Sequence, residues 1–408
     1  MKNKKLEFSF FAILLSTFIL LPSCSNSKQT IEENNINNEE IILDSKKDCS
    51  IVFAGDVLLH DEQLKAEYDP NTNAYNFDEF FTNVKDYISK ADLAVCNSET
   101  VFLGQGSVYS GYPSFNSPTE ILSSLKKSGF DILASAHNHI LDYGYDGFVK
   151  TAKSIKDSNL DLIGIKDNDN DKNYLVKEVN DIKIGITNYS YCGKKGNSHT
   201  FNETPLPASL ENRINLFNDD NIDLYLDNMK NTIENMKKDG AEYIIFYIHW
   251  GIEYNTSQSP KQRYLAEKLN SLGVDAIIGS HPHVVQPIEY ITNETSKKKT
   301  LVCYSLGNFI SNQRAETMGN EKSEDGLMVK LNLKKDDNNE VLLDSYDTEP
   351  TWVNKYTDNS SKVHYEIIKT KDIINNSNSE NYSTEVFNKI QLNLEIKSNI
   401  IWLIKIGE

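Results

Sequence analysis

Val274-Asp275-Ala276-Ile277-Ile278-Gly279-Ser280-His281-Pro282-His283, residues 274–283, is a short apolar run that ends on two histidines with a proline between them. A brief apolar run bounded by glycine reads as a strand buried on both faces, as in parallel sheets covered by helices. Proline locks its own φ and restricts the residue before it. The two imidazoles are therefore aimed consistently rather than left on a loose loop.

Working outward, the same design recurs along the chain. Ile51-Val52-Phe53-Ala54 leads into Gly55-Asp56, with His60 four residues on. Leu93–Cys96 leads into Asn97-Ser98-Glu99, and the run 131–135 leads into His137-Asn138-His139 with Asp142 and Gly144 close behind. Tyr243–Ile248 leads into His249-Trp250-Gly251 and then Glu253. Taken singly, each group has a bland explanation. Gly-Asp after a strand is a common turn, His137–His139 a polar loop or helix cap, and His249 a buried histidine bonded to backbone. Glu99 and Asp142 alone are ordinary solvated acids. Jointly they are harder to dismiss: six of the eight histidines fall at strand ends, and only His199 and His364 lie elsewhere. In open α/β sheets the carboxyl ends of the strands share one edge, and ligands bind in the crevice there.

Helical patterns separate these strands. Apolar spacing predicts helices over 77–89, 118–128 (closed by Gly129), 147–156, 221–238 and 261–272. Tyr174–Val179 and Lys183–Tyr189 flank Asn180-Asp181 as a hairpin, Thr300–Ser305 reads as a strand, and Leu327–Leu333 with Val341–Asp347 as an antiparallel pair. Strands alternating with helices, followed by hairpins, define a layered α/β domain. From Tyr365 the chain turns polar and asparagine-rich, with a last helix expected over 383–397.

The N-terminus decides the expected compartment. Lys2, Lys4 and Lys5 precede an apolar stretch from Phe8 to Leu21, closed by Leu21-Pro22-Ser23-Cys24. A basic start, a short apolar core and a small-residue cleavage site describe a secretory signal, too short for the ~20 residues of a bilayer crossing. The closing residues resemble a bacterial lipobox, which implies a signal peptide over 1–23, lipidation at Cys24, and anchoring at the extracellular face of the cell membrane. Residues 24–48 are polar and read as a solvated tether. The net charge of −17 disfavours nucleic acid as a partner, so an anionic substrate has to be held locally; Arg263 and Arg314 are candidate cations. Cys96 and Cys303 sit in apolar runs and read as core residues, while Cys49 and Cys192 could pair in an exported protein.

Imidazole, carboxylate and amide oxygen without cysteine suit Mn, Fe or Zn better than a thiolate site. The candidate ligands outnumber the four that one zinc uses, so two divalent ions are expected, with hydrolytic chemistry at an ester.

The motifs Gly55–His60, Asn97–Glu99, Ser135–Gly144, His249–Tyr254, Gly279–Gln286 and Tyr304–Phe309, in that order, resemble the poly-γ-glutamate capsule-biosynthesis family of CapA type. That resemblance implies an α/β fold, a layered α/β/β/α sandwich like that of calcineurin-like metallophosphoesterases, over residues 49–350, with 351–408 as a C-terminal extension. It implies Asp56, Glu99, Asn138, His249, His281 and His283 as metal ligands, with His60 a less regular one. His139 would act as the acid toward a leaving group, oriented by Asp142. His137 stands where the family has asparagine, as an extra ligand, a substrate contact or a bystander; Glu253 and Asn308 would meet substrate. The implied partners are an anionic envelope polymer such as poly-γ-glutamate and a membrane polymer synthase. Alternatives are a non-catalytic accessory lipoprotein and a general secreted phosphatase.

Overall fold

The structure, a computed structural model, describes residues 47–375 together with 387, 388, 390 and 391. Along the chain, strand β1 (Asp48–Val57) is followed by helix α1 (Asp61–Glu67), β2 (Leu93–Ser98), α2 (Glu120–Lys127), β3 (Ile132–Ala134), α3 (Gly144–Asp157) and β4 (Asp161–Ile163). These four strands run parallel, side by side. A second sheet opens with the hairpin β5 (Tyr174–Val179) and β6 (Ile182–Tyr191). After a small insert of β7 (Gly193–Lys195), β8 (Ser198–Phe201) and β9 (Thr204–Pro205), it continues through β10 (Leu216–Phe217), α4 (Leu226–Lys238), β11 (Tyr243–His249), α5 (Pro260–Leu272), β12 (Ala276–Ser280), β13 (Ile288–Thr292) and β14 (Lys299–Cys303). The chain then rejoins the first sheet with β15 (Asn308–Ile310), β16 (Asp325–Lys335), β17 (Val341–Thr357) and β18 (Val363–Lys369). The first sheet has the order β18-β17-β16-β1-β2-β3-β4 with β15 beside β1; the second has β10-β6-β11-β12-β14-β13 with β5 against β6.

Alternation along the central strands sets the layers. Ile51 and Phe53 of β1 pack against Ile245 and Tyr247 of β11 in one buried cluster between the sheets. Val52 and Ala54 point the other way, onto Ile121 and Leu125 of α2 and Phe148 of α3. Ile244, Phe246 and Ile248 face Met229 and Ile233 of α4 and Leu265 and Leu269 of α5. The result is the expected α/β/β/α sandwich. The Tyr247 hydroxyl donates to the Ala54 carbonyl at 2.8 Å, a buried bond that ties the sheets together next to Asp56.

Local sequence explains the boundaries. Ser259 caps α5, accepting from the Gln262 backbone, with Pro260 in the first turn and Gly273 closing the helix at φ 93°. Gly55-Asp56 is not a turn: both residues continue β1. A Cβ at Gly55 would stand 1.9 Å from the Gly307 carbonyl oxygen, so only glycine allows that approach.

The structure differs from the sequence expectations at three places. The helix expected over 77–89 is a 3-10 turn (Asp78–Phe81) and one α-turn (Lys85–Ile88), because tight turns bury Phe77, Phe80, Phe81, Val84 and Ile88 equally well. The boundary expected at 350 falls inside β17. Trp352, Val353, Tyr365 and Ile367 are buried beyond it, so the first sheet extends through residue 369. Cys49 and Cys192 lie in separate core clusters with no disulfide between them. The signal segment 1–23, Cys24, the tether up to residue 46 and most of the helix 383–397 lie outside the described residues.

Candidate metal centre

The carboxyl ends of β1, β2, β11 and β12, with the loop after β3, converge on one buried cluster. Asp56, Glu99 and His249 are wholly buried, and Asn138, His281 and His283 nearly so. Asp56 Oδ1 accepts from Asn97 Nδ2 at 2.8 Å, and its Oδ2 lies 3.1 Å from His283 Nδ1 and accepts from the His281 backbone N–H at 3.3 Å. Glu99 Oε1 stands 3.7 Å from both His249 Nε2 and His283 Nε2. His249 Nε2 is 2.9 Å from Asn138 Oδ1.

These spacings suit a shared cation. Two donors about 2.1 Å from one ion at tetrahedral or octahedral angles stand about 3–3.5 Å apart. The donor set also leaves polar atoms stranded: Glu99 Oε1, Asn97 Oδ1 and His281 Nδ1 are buried with no hydrogen-bond partner, a costly state unless another group satisfies them. Ligand atoms of Glu99, His281 and His283 all lie within 4.8 Å of one another, and so do those of Asp56, Glu99 and His249. The residues present therefore fit divalent metal.

Electrostatics agree. Burial, then the charges of Asp56, Glu253 and Asp142, push the Glu99 carboxyl well above the usual carboxylate range. Burial, then neighbouring imidazoles, hold His249 and His281 well below the usual imidazole range. Both imidazoles are thus neutral in the physiological range, with lone pairs available to a cation. His283 Nδ1 faces two acceptors, Asp56 Oδ2 and Asn308 Oδ1, each at 3.1 Å. Both are met when Nδ1 donates, and that ring orientation sets Nε2 toward Glu99.

The remaining expected residues surround this core. His139 Nδ1 is 2.8 Å from Asp142 Oδ2, which also accepts from the Phe115 backbone at 2.8 Å. His137 is fully buried beside His249, ring centroids 6.1 Å apart, and both its ring nitrogens lack a partner. Asn308, expected to meet substrate, is instead fully buried behind His283, donating to Gln313 Oε1 and the Ser323 carbonyl. Glu253 is exposed. His60 accepts from the Asn312 backbone through Nδ1 at 3.3 Å and packs on Phe115; burial, then His283, hold its pKa down to about 4. Neither candidate cation is free. Arg263 pairs with Glu267 and Glu289, and Arg314 with Glu316 and Glu324.

Four residues that the sequence left without a role complete the site. Asn97 touches Asp56, Glu99 and His249 at once. Ser280 Oγ meets His249 Nδ1 at 3.1 Å, and Tyr191 lies parallel to the His249 ring. Asn97 and Ser280 were legible as polar residues at strand ends, and Tyr191 ends β6 in the same way. Asn202 comes from the β8–β9 turn, and nothing in the chain pattern sends it here.

Fold and site together define a two-sheet α/β protein built around a buried imidazole–carboxylate cluster whose donors fit divalent metal. Residues 50–313 match the family described as bacterial capsule synthesis protein PGA_cap, and the chain belongs to that family. It is similar to a capsule biosynthesis protein CapA of Bacillus anthracis, 30% identical over 67% of this chain and 61% of that one. It is also similar to a PGA biosynthesis protein CapA of Bacillus subtilis (strain 168), 31% identical over 53% of this chain and 50% of that one. The chain thus spans less than two thirds of the length of either relative. Among solved structures, the sulfate thiohydrolase SoxB of Thermus thermophilus has a TM-score of 0.34 at 13% identity, covering 68% of this chain and 39% of that one.

Proposed function

We propose that the protein is exported and lipid-anchored through Cys24 at the outer face of the cell membrane. There a dinuclear metal-dependent site hydrolyses or transfers a bond in an anionic envelope polymer of the poly-γ-glutamate kind. The observation that carries this reading is the pair of ligand groups sharing Glu99, with stranded donor atoms between them. Asp56, Glu99, Asn138, His249, His281 and His283 would hold two divalent ions, of Mn, Fe or Zn. Bound there, they would supply Lewis acidity and an activated water.

The chain's own residues do the rest. Asp142 fixes His139 through Nδ1, leaving Nε2 to pass a proton to a leaving group. With Arg263 and Arg314 committed to glutamates, the attraction for an anionic polymer would come from the ions, and binding would be local to the reacting group. The names of the two Bacillus relatives support the polymer, and a membrane polymer synthase is the partner such an anchored site would serve.

The test is the metal content of the detergent-purified full chain beside an Asp56→Ala/His281→Ala variant, followed by turnover of bis-p-nitrophenyl phosphate with Mn²⁺. About two equivalents of metal, lost in the variant, with Mn²⁺-dependent turnover, are expected. A well-folded protein that takes up little metal after soaking overturns the proposal. Metal without turnover, with a co-purifying synthase, favours an accessory lipoprotein. Phosphate release from nucleotides favours a general phosphatase.

A further inference from the structure

The insert β7–β9 delivers one side chain to the metal centre. β8 and β9 pair Thr200 with Pro205 and Phe201 with Thr204, leaving Asn202-Glu203 as a two-residue turn. Both turn residues have positive φ, 41° and 65°. That is the signature of a type I′ turn, where asparagine is favoured and glutamate is not. The turn is anchored: Phe201 and Leu206 on either side are buried, and the Leu206 N–H donates to the His199 carbonyl at 2.8 Å.

From this tip the exposed Asn202 reaches two site residues. Its Oδ1 accepts from Asn138 Nδ2 at 3.2 Å, and its Nδ2 lies 3.2 Å and 3.4 Å from the two ring nitrogens of His139. We infer that Asn202 is a positioning residue that selects which end of the Asn138 amide faces the metal centre. Only the carbonyl oxygen of an amide serves as a metal ligand; the NH₂ group repels a cation. With Nδ2 of Asn138 donating to Asn202, Oδ1 of Asn138 is turned to the cluster, 2.9 Å from His249 Nε2. Flipping Asn138 would set its oxygen against the Asn202 oxygen and present two N–H groups to the site. Groups that orient a ligand from behind in this way change metal affinity about 10–100-fold when lost. The inference rests on the reading of Asn138 as part of a metal site.

The experiment is a Mn²⁺ titration of the full chain, following the free Mn²⁺ electron paramagnetic resonance signal, with three variants. Asn202→Gly and Asn202→Asp both accept positive φ, so the turn survives in each; only Asp keeps the acceptor oxygen. Glu203→Gly alters the same turn without touching the site. Asn202→Gly should weaken Mn²⁺ binding about tenfold at unchanged stoichiometry. Asn202→Asp should bind at least as tightly as the native chain, and Glu203→Gly should match it. Native affinity in Asn202→Gly, or equal loss in Glu203→Gly, overturns the assignment. A native chain that binds no Mn²⁺ overturns the metal reading itself, and that result is visible before any variant is compared.

Discussion

His281 and His283 hold φ values of 95° and 57°, with Pro282 between them. Non-glycine residues adopt such backbone at a cost of roughly 1–3 kcal/mol each, and it persists where the surroundings impose it. Here Asp56 takes the His281 N–H and the His283 ring on one oxygen, so the acid proposed as a metal ligand also holds the bend. Strain and function are thereby coupled, and His281→Gly separates them. In chelator-treated protein the glycine relieves strain while removing a buried ring that packs on Tyr191 at 4.8 Å. Its urea stability should stay within about 1 kcal/mol of native, against the 2–5 usual for truncating a large buried side chain. Mn²⁺ affinity should fall at least about tenfold. A full truncation penalty in the chelated protein would show that the backbone is not strained. The His-Pro-His pair was legible because residue types and spacing carry it. Its backbone was not, because φ is imposed by Asp56, 225 residues away. Asn202 was illegible for a related reason: the Asn-Glu turn can be read from the chain, but its landing place on Asn138 is set by packing of the insert.

At the scale of elements, α1 carries a buried acid with no partner. Glu67 ends the helix, is 6% exposed, and its Oε1 has no hydrogen bond. Burial pushes its pKa up to about 7, against opposing pulls from Lys362 and His364. The folded-state pKa lies above the ordinary value of 4.5. The protonated form therefore favours folding, and stability is lost as pH rises from about 4.5 to 7. Glu67→Gln removes this penalty. In urea titrations the variant should exceed native by about 1–2 kcal/mol at pH 7.5, allowing for partial solvent screening. The two curves should converge near the acid end of that window; a constant gap across pH would place the effect in packing instead. Elements whose ends are marked by local chemistry, such as α5 with its Ser259–Gln262 box and Gly273, matched the sequence reading. The 77–89 segment and β17 did not. Apolar spacing of three and four residues serves 3-10 turns as well as an α-helix, and nothing local marks a strand that ends only because its partner does.

Across the whole molecule, five chain-distant segments place Asp56, Glu99 and four imidazole or amide groups in one buried cluster. The sheet edge that gathers them was readable, because alternating strands and helices imply parallel strands whose carboxyl ends share one edge; the strand order was not. The insert and the C-terminal strands, which close the site and widen the first sheet, depend on long-range pairing that no local pattern announces. Gathering acids in this way has a cost that a bound cation would offset. Glu99 sits among Asp56, Glu253 and Asp142, and burial with those charges disfavours its ionised form. In metal-free protein its contribution is thus best at low pH and is lost as pH rises through the raised folded-state value. Glu99→Gln should therefore stabilise chelated protein at neutral pH, by about 1–3 kcal/mol, since a neutral amide of similar shape avoids the cost of protonating or burying that carboxylate. Saturating Mn²⁺ should reverse the order. Native protein gains about 2.7 kcal/mol per site at a hundredfold excess over Kd, whereas the variant, lacking the carboxylate shared by both ligand groups, gains less at the same concentration. Thermal melts of the two proteins with and without Mn²⁺ read this crossing directly. If Glu99→Gln is the less stable protein under both conditions, Glu99 is a structural acid satisfied by the protein alone. If the order crosses, the fold tolerates its buried charge because a cation completes it.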